Sequence, residues 1–128
     1  MGNTMMKKML VLLVALLLAS CSAEEDRGVA QAGPSGHQLV VFIDPGGRPC
    51  QMQDQILQGL AGQLKGLVDL RYVLTTVAGD RPVFSRYGIR ALPSLVLVGP
   101  SGNEVGRLPP GVKSAEEILT LVNTIPRG

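Results

Sequence analysis

The chain has 128 residues, enough for one ordinary domain and too few for two. Its net charge is only +2, with Lys and Arg scattered along the sequence, which excludes the basic stripe and aromatic platform of a nucleic-acid binder. Aromatic residues make up 3 % and Trp is absent, so a core has to be built from Leu, Val and Ile.

The first 21 residues have the layout of a targeting segment and stand apart from fold reasoning. Lys7 and Lys8 make a positive start, and residues 9–18 form an apolar stretch shorter than the roughly 20 residues a spanning helix needs. Leu18-Ala19-Ser20-Cys21 then resembles a bacterial lipobox, in which small residues precede a cysteine that is lipidated and becomes the mature N-terminus. Position six is Met6 and not Ser or Thr, so the start does not read as a myristoylation site. The expectation is a lipoprotein signal peptide over residues 1–21 with lipidation at Cys21. That holds the protein to a membrane on the periplasmic side of a bacterial cell envelope. Residues 22–37, rich in Ala, Glu, Gly, Ser and Gln without an apolar period, read as a flexible tether. The folded domain is then expected over residues 38–128.

Residues 39–43 are a β-branched and aromatic run that breaks at Asp44-Pro45-Gly46-Gly47, as a buried strand does. The chain restarts at Arg48-Pro49-Cys50 as a helix, where Pro costs little because its missing N–H has no partner in a first turn anyway. Cys50 thus falls in the first turn of a helix at the C-terminal edge of a central strand, where open α/β sheets place their chemistry. Met52, Ile56, Leu57, Leu60, Leu64 and Leu67 share one helical face, and Gly66 is the expected stop. Residues 70–77 read as a second strand, parallel to the first because a helix connects them. Asp80 is placed to cap a short helix through Phe84 and Tyr87. Residues 95–98 and 104–107, joined through Gly99-Pro100-Ser101-Gly102-Asn103, read as an edge hairpin. Ser114 and Glu117 have capping-box spacing ahead of a last helix through Ile125, which Pro126 ends.

Two segments carry a family resemblance. Phe42-x-x-Pro45-x-x-x-Pro49-Cys50 after an apolar strand resembles the thioredoxin active-site segment, whose redox motif is Cys-x-x-Cys. Tyr87-Gly88-Ile89-Arg90-Ala91-Leu92-Pro93-Ser94 is similar to the family's Tyr-Gly-Ile/Val-x-x-Ile/Leu/Val-Pro-Thr/Ser segment. The resemblance covers about residues 38–125. It implies an α/β thioredoxin-like three-layer sandwich: a mixed central sheet, helices on both faces, and an N-terminus trimmed of the family's first strand and helix. It further implies a cis peptide at Pro93, against the redox motif, and a Leu92 backbone that faces the site. Gly47 stands where the family has its attacking cysteine, and Gly46 where it has an aromatic residue. Val41 takes the place of a buried carboxylate. Attack and resolution need two sulfurs, so autonomous dithiol turnover is not expected.

Cys50 keeps three readings. It packs as a small, inert hydrophobe; or loss of the first cysteine and the aromatic uncovers it, and the helix N-terminus and Arg48 favour its thiolate; or it joins Met52 as a soft copper ligand. The last conflicts with their i, i+2 spacing, which turns the side chains apart. No metal or cofactor is expected. His37 reads as a tether residue. The candidate site is Gly46, Gly47, Arg48, Pro49 and Cys50, backed by Leu92 and Pro93. Two functions follow: thiol/disulfide chemistry on an envelope protein through the single thiol Cys50, or non-catalytic docking of a peptide or partner protein on the same groove.

Overall fold

The computed structural model describes residues 35–127. The expected signal peptide, the expected lipidation at Cys21 and the expected tether up to residue 34 lie outside the described residues. β1 (Gln38–Ile43) is an inner strand of a four-stranded sheet of order β2-β1-β3-β4. It runs parallel to β2 (Asp69–Leu74) and antiparallel to β3 (Ser94–Val98), which pairs antiparallel with β4 (Glu104–Arg107). The sheet is mixed, as expected.

The period of two along β1 builds two cores. Leu39, Val41 and Ile43 face α1 (Arg48–Leu64) and α3 (Ala115–Val122), joining Leu57, Leu60, Leu64, Ile118 and Leu121. Val40 and Phe42 face the other way, with Val73, Val96 and Val98, and are covered by Val83 and Phe84 of the short helix α2 (Arg81–Arg86). Helices therefore lie on both faces and the molecule has three layers. β1 and β3 are buried at nearly every position, which is why they read as continuous apolar runs and not as alternating ones.

Several boundaries move. α1 ends at Leu64, three residues before Leu67, because the backbone leaves the helix at Lys65 and Gly66 takes φ +84°. β2 stops at Leu74, where its outward N–H is taken by the Asp80 carboxylate at 2.8 Å. That bond corrects the expected role of Asp80. It precedes α2, but its side chain caps the end of β2 and makes no helix-cap hydrogen bond. α3 ends at Val122 and Ile125 is buried in the turn that follows. Ser35 and His37, read as tether from the sequence, are tied to the domain: Ser35 Oγ donates to the carbonyl of Leu67, in the turn before β2, at 2.8 Å, and the His37 carbonyl accepts from Asp69 N–H at 3.1 Å.

The capping box forms as its spacing predicts. Ser114 N–H donates to the Glu117 carboxylate at 2.8 Å and Glu117 N–H to Ser114 Oγ at 3.2 Å. The backbone hydrogen bond from Ser114 holds the Glu117 carboxyl below its ordinary value. A carboxyl with a lowered folded pKa stabilises the fold above its unfolded pKa, and that contribution is lost as pH falls through the folded one. Urea midpoints measured from pH 6 down to pH 2 are therefore expected to fall more for the wild type than for Glu117→Gln, the gap closing at the acid end.

Candidate functional site

The site is assembled at one end of the sheet. β1 delivers residues 44–50 past its C-terminal end, and β3, running the other way, begins at Ser94 opposite Phe42. One step along that register sets Pro93 beside Ile43, and the Leu92–Pro93 peptide is cis. Leu92 is half-buried and packs against both cores, the Cys50 cluster on one side and the Phe42 cluster on the other. Among the described residues neither the N–H nor the carbonyl of Leu92 has a hydrogen-bond partner.

The turn that carries the chain from β1 into α1 is held by its own backbone and by Asp44. Asp44 Oδ1 accepts from Gly46 N–H at 3.1 Å, and the Asp44 carbonyl accepts from Gly47 N–H at 2.9 Å. An Asx turn of this kind is what short polar side chains provide where a strand gives way to a tight loop. Gly47 is the N-cap of α1 with φ −85° and ψ 131°, an extended backbone open to any residue. Pro49 sits in the first turn, as the sequence predicts.

Cys50 is 3 % exposed and part of the larger core. Its Sγ accepts the backbone N–H of Asp44 at 3.3 Å. Of the three readings of Cys50 the buried one holds, and the reading in which losing the first cysteine and the aromatic uncovers the thiol is corrected. The helix turns Cys50 inward beneath the 44–47 turn. A Cβ built on Gly47 would stand 3.8 Å from Cys50 Sγ and 3.4 Å from the Asp44 carbonyl, both ordinary contacts. Val41 is fully buried in the same cluster as Cys50, so the core beside the thiol is apolar. Asp44 is exposed and engaged with Gly46, so it does not replace a buried acid. Met52 is 56 % exposed, facing away from Cys50, and the two do not converge. Arg48, Pro49 and Gly46 are exposed on the same rim.

One participant went unread in the sequence. Gln53, a turn beyond Cys50, is fully buried, with its amide on the backbone of Lys113. Its polarity at a core position of α1 was the available signal, and the residue it meets lies 60 positions away.

No family model and no curated protein matches the sequence. Solved structures do match. Thioredoxin-2, a component of malaria parasite protein secretion machinery, superposes with a TM-score of 0.63 at 14 % identity, covering 75 % of this chain and 86 % of its own. A thioredoxin-like protein from Clostridium perfringens gives 0.62 at 16 %, over 70 % of each chain. A thioredoxin from Thermus thermophilus gives 0.58 at 23 %, over 70 % and 72 %. The fold is thioredoxin-like. Within a thioredoxin-like fold the cis-proline turn, the strand-to-helix loop and one inward cysteine are all present here, and the loop position three before that cysteine is a glycine.

Proposed function

We propose that this protein is a lipid-anchored envelope module that docks an extended peptide or partner segment between the 46–50 loop and the Leu92–Pro93 turn. The observation that carries the reading is the Leu92 backbone. Its N–H and carbonyl are unpaired within the described residues, although the residue is half-buried. Main-chain polar groups are nearly always satisfied, by protein, water or ligand, and at a half-buried residue the last two are the ones left. An extended segment laid along Leu92 satisfies both, in the manner of an added strand. The envelope location and the Cys21 lipid rest on the targeting segment and its lipobox.

Thiol chemistry is the second reading, and one contact favours it. The Asp44 N–H donates to Cys50 Sγ, so a polar group already faces the sulfur from the loop. In that chemistry the thiolate attacks a partner disulfide, a mixed disulfide forms and one partner thiolate leaves.

Alkylation of Cys50 in a Cys21→Ser chain separates the two. With the thiol enclosed, iodoacetamide is expected to react at least ~10²-fold more slowly in buffer than in denaturant, because reaction waits on local opening. Fast native labelling that titrates below the free-thiol value of about 8.5 would replace docking with thiol chemistry. In cells, a Cys50→Ser chain that still substitutes for the wild type supports docking, and loss of function with the fold intact supports the thiol.

A further inference from the structure

Gln53 and Ser94 are the buried polar residues among the described residues, and Ser94 Oγ is occupied locally by the Ala91 carbonyl at 2.6 Å. Gln53 reaches across the molecule. Its Nε2 donates to the Lys113 carbonyl at 3.1 Å, and its Oε1 accepts the Lys113 N–H at 2.6 Å. Both halves of one side-chain amide are thus used on both main-chain groups of one residue. Burying an amide in an apolar core is unfavourable unless its bonds are made, and a Leu of similar size would fill the same space with apolar surface. The side chain is explained by the bonds it makes.

Those bonds end on the segment that borders the docking edge. Residues 108–113 connect β4 to α3, starting where Leu108 N–H donates to the Leu95 carbonyl at 3.2 Å. Midway, Gly111 takes φ +112° and its N–H donates to the Pro93 carbonyl at 3.0 Å. The far end is Lys113, in the grip of Gln53. A continuous set of contacts therefore runs from the Cys50 helix through Gln53 and Lys113 to Gly111 and the cis-proline turn.

We infer that Gln53 is a positioning residue for the docking edge: its amide fixes the 108–113 segment to α1, so that Gly111 stays on the Pro93 carbonyl and the wall beside Leu92 is preformed. A preformed wall lowers the ordering cost when a peptide docks. The purpose of the wall rests on the docking function proposed above, but the positioning itself is tested without any peptide.

Amide hydrogen exchange of the full chain provides the test. In Gln53→Leu, protection of the Lys113 and Gly111 amides is expected to fall at least tenfold, with the β1 amides of Val40 and Phe42 staying protected. A residue that acts by packing alone moves neither, since Leu fills the space. Unchanged protection at Lys113 and Gly111 would therefore overturn the proposal. Gln53→Met, unbranched and close to Gln in shape, also removes both bonds and is expected to lower protection at Gly111 and Lys113 in the same way. This second variant decides the matter if Gln53→Leu does not fold, and an unchanged Gly111 there overturns the proposal too. A loosened Gly111 together with a Cys50→Ser chain that fails in cells would keep the positioning role and remove docking.

Discussion

Gly47→Cys is expected to form an intramolecular disulfide with Cys50 under mild oxidant, and in its reduced form to reduce a protein disulfide at least about tenfold above the wild-type background. The geometry supports the substitution at each step. Gly47 has an extended backbone, so a side chain adds no strain, and its nearest neighbours leave room for a Cβ. That Cβ stands 3.8 Å from Cys50 Sγ, and an S–S bond of about 2.05 Å closes once the Cys50 sulfur turns toward it by less than ~1 Å. The new thiol also lies at the N-terminus of a 17-residue helix, where the backbone N–H groups favour a thiolate. It attacks the substrate disulfide, Cys50 resolves the mixed disulfide, two thiols are oxidised and the substrate gains two. Val41 provides no carboxylate beside Cys50 to assist the resolving proton. Thiol titration after oxidation reads the first half, and insulin reduction the second. A variant that keeps both thiols free under oxidant would mean that residues 47 and 50 do not stand as described. A variant that forms the bridge but reduces nothing would place the missing chemistry in the core around Val41.

The same end of the molecule illustrates how far the sequence was legible. Residues 39–43, the Pro-Cys turn and the Leu92-Pro93 segment are local signals, and each falls where its residues predict. The mixed sheet and the cis peptide followed from the resemblance that those segments carry. Burial of Cys50 was one reading among three and the sequence could not decide it, because it depends on which way the first helical turn faces, and Gly46-Gly47 carries no side chain to mark that direction. Asp80 misled for a related reason. Its position before a helix is that of a cap, but an unpaired strand-end N–H at Leu74 lies within reach and takes the carboxylate instead. Gln53 was unreadable because its partner is the backbone of a residue in another part of the chain. Sequence patterns report one element's preference, and these three outcomes were set by competition between elements.

Phe42→Ala is expected to destabilise the fold by about 3–5 kcal/mol, and to do so unevenly. Phe42 is fully buried, with the rings of Phe84 and Tyr87 edge-on to it at centroid distances of 5.2 and 6.0 Å. α2 has no fully buried residue of its own and only six residues, too few to hold as a helix without packing. Its attachment to the sheet therefore depends on what Phe84 and Tyr87 find on the other side, and Phe42 is the large group they find. Truncation leaves a cavity under both rings, and a small domain with about 5–15 kcal/mol in total keeps little margin. The uneven part follows from Leu92, which packs on the same cluster near the end of the segment returning from α2 to β3. Loosening α2 should release the Ile89 N–H from the Phe84 carbonyl, a 3.0 Å bond, before the β1–β3 ladder opens. Urea melts of Phe42→Ala, Phe42→Leu and Leu57→Ala, with exchange at the Ile89 amide, give the comparison. Leu57 is equally buried but lies on the α1 face, so its truncation should cost about 2–5 kcal/mol and leave Ile89 protected until global unfolding. If Ile89 is released to the same degree in Leu57→Ala, the two cores act as one unit and Phe42 has no particular hold on the cis-proline turn. If it is released in Phe42→Ala alone, the hydrophobic face that carries α2 also sets the position of Leu92.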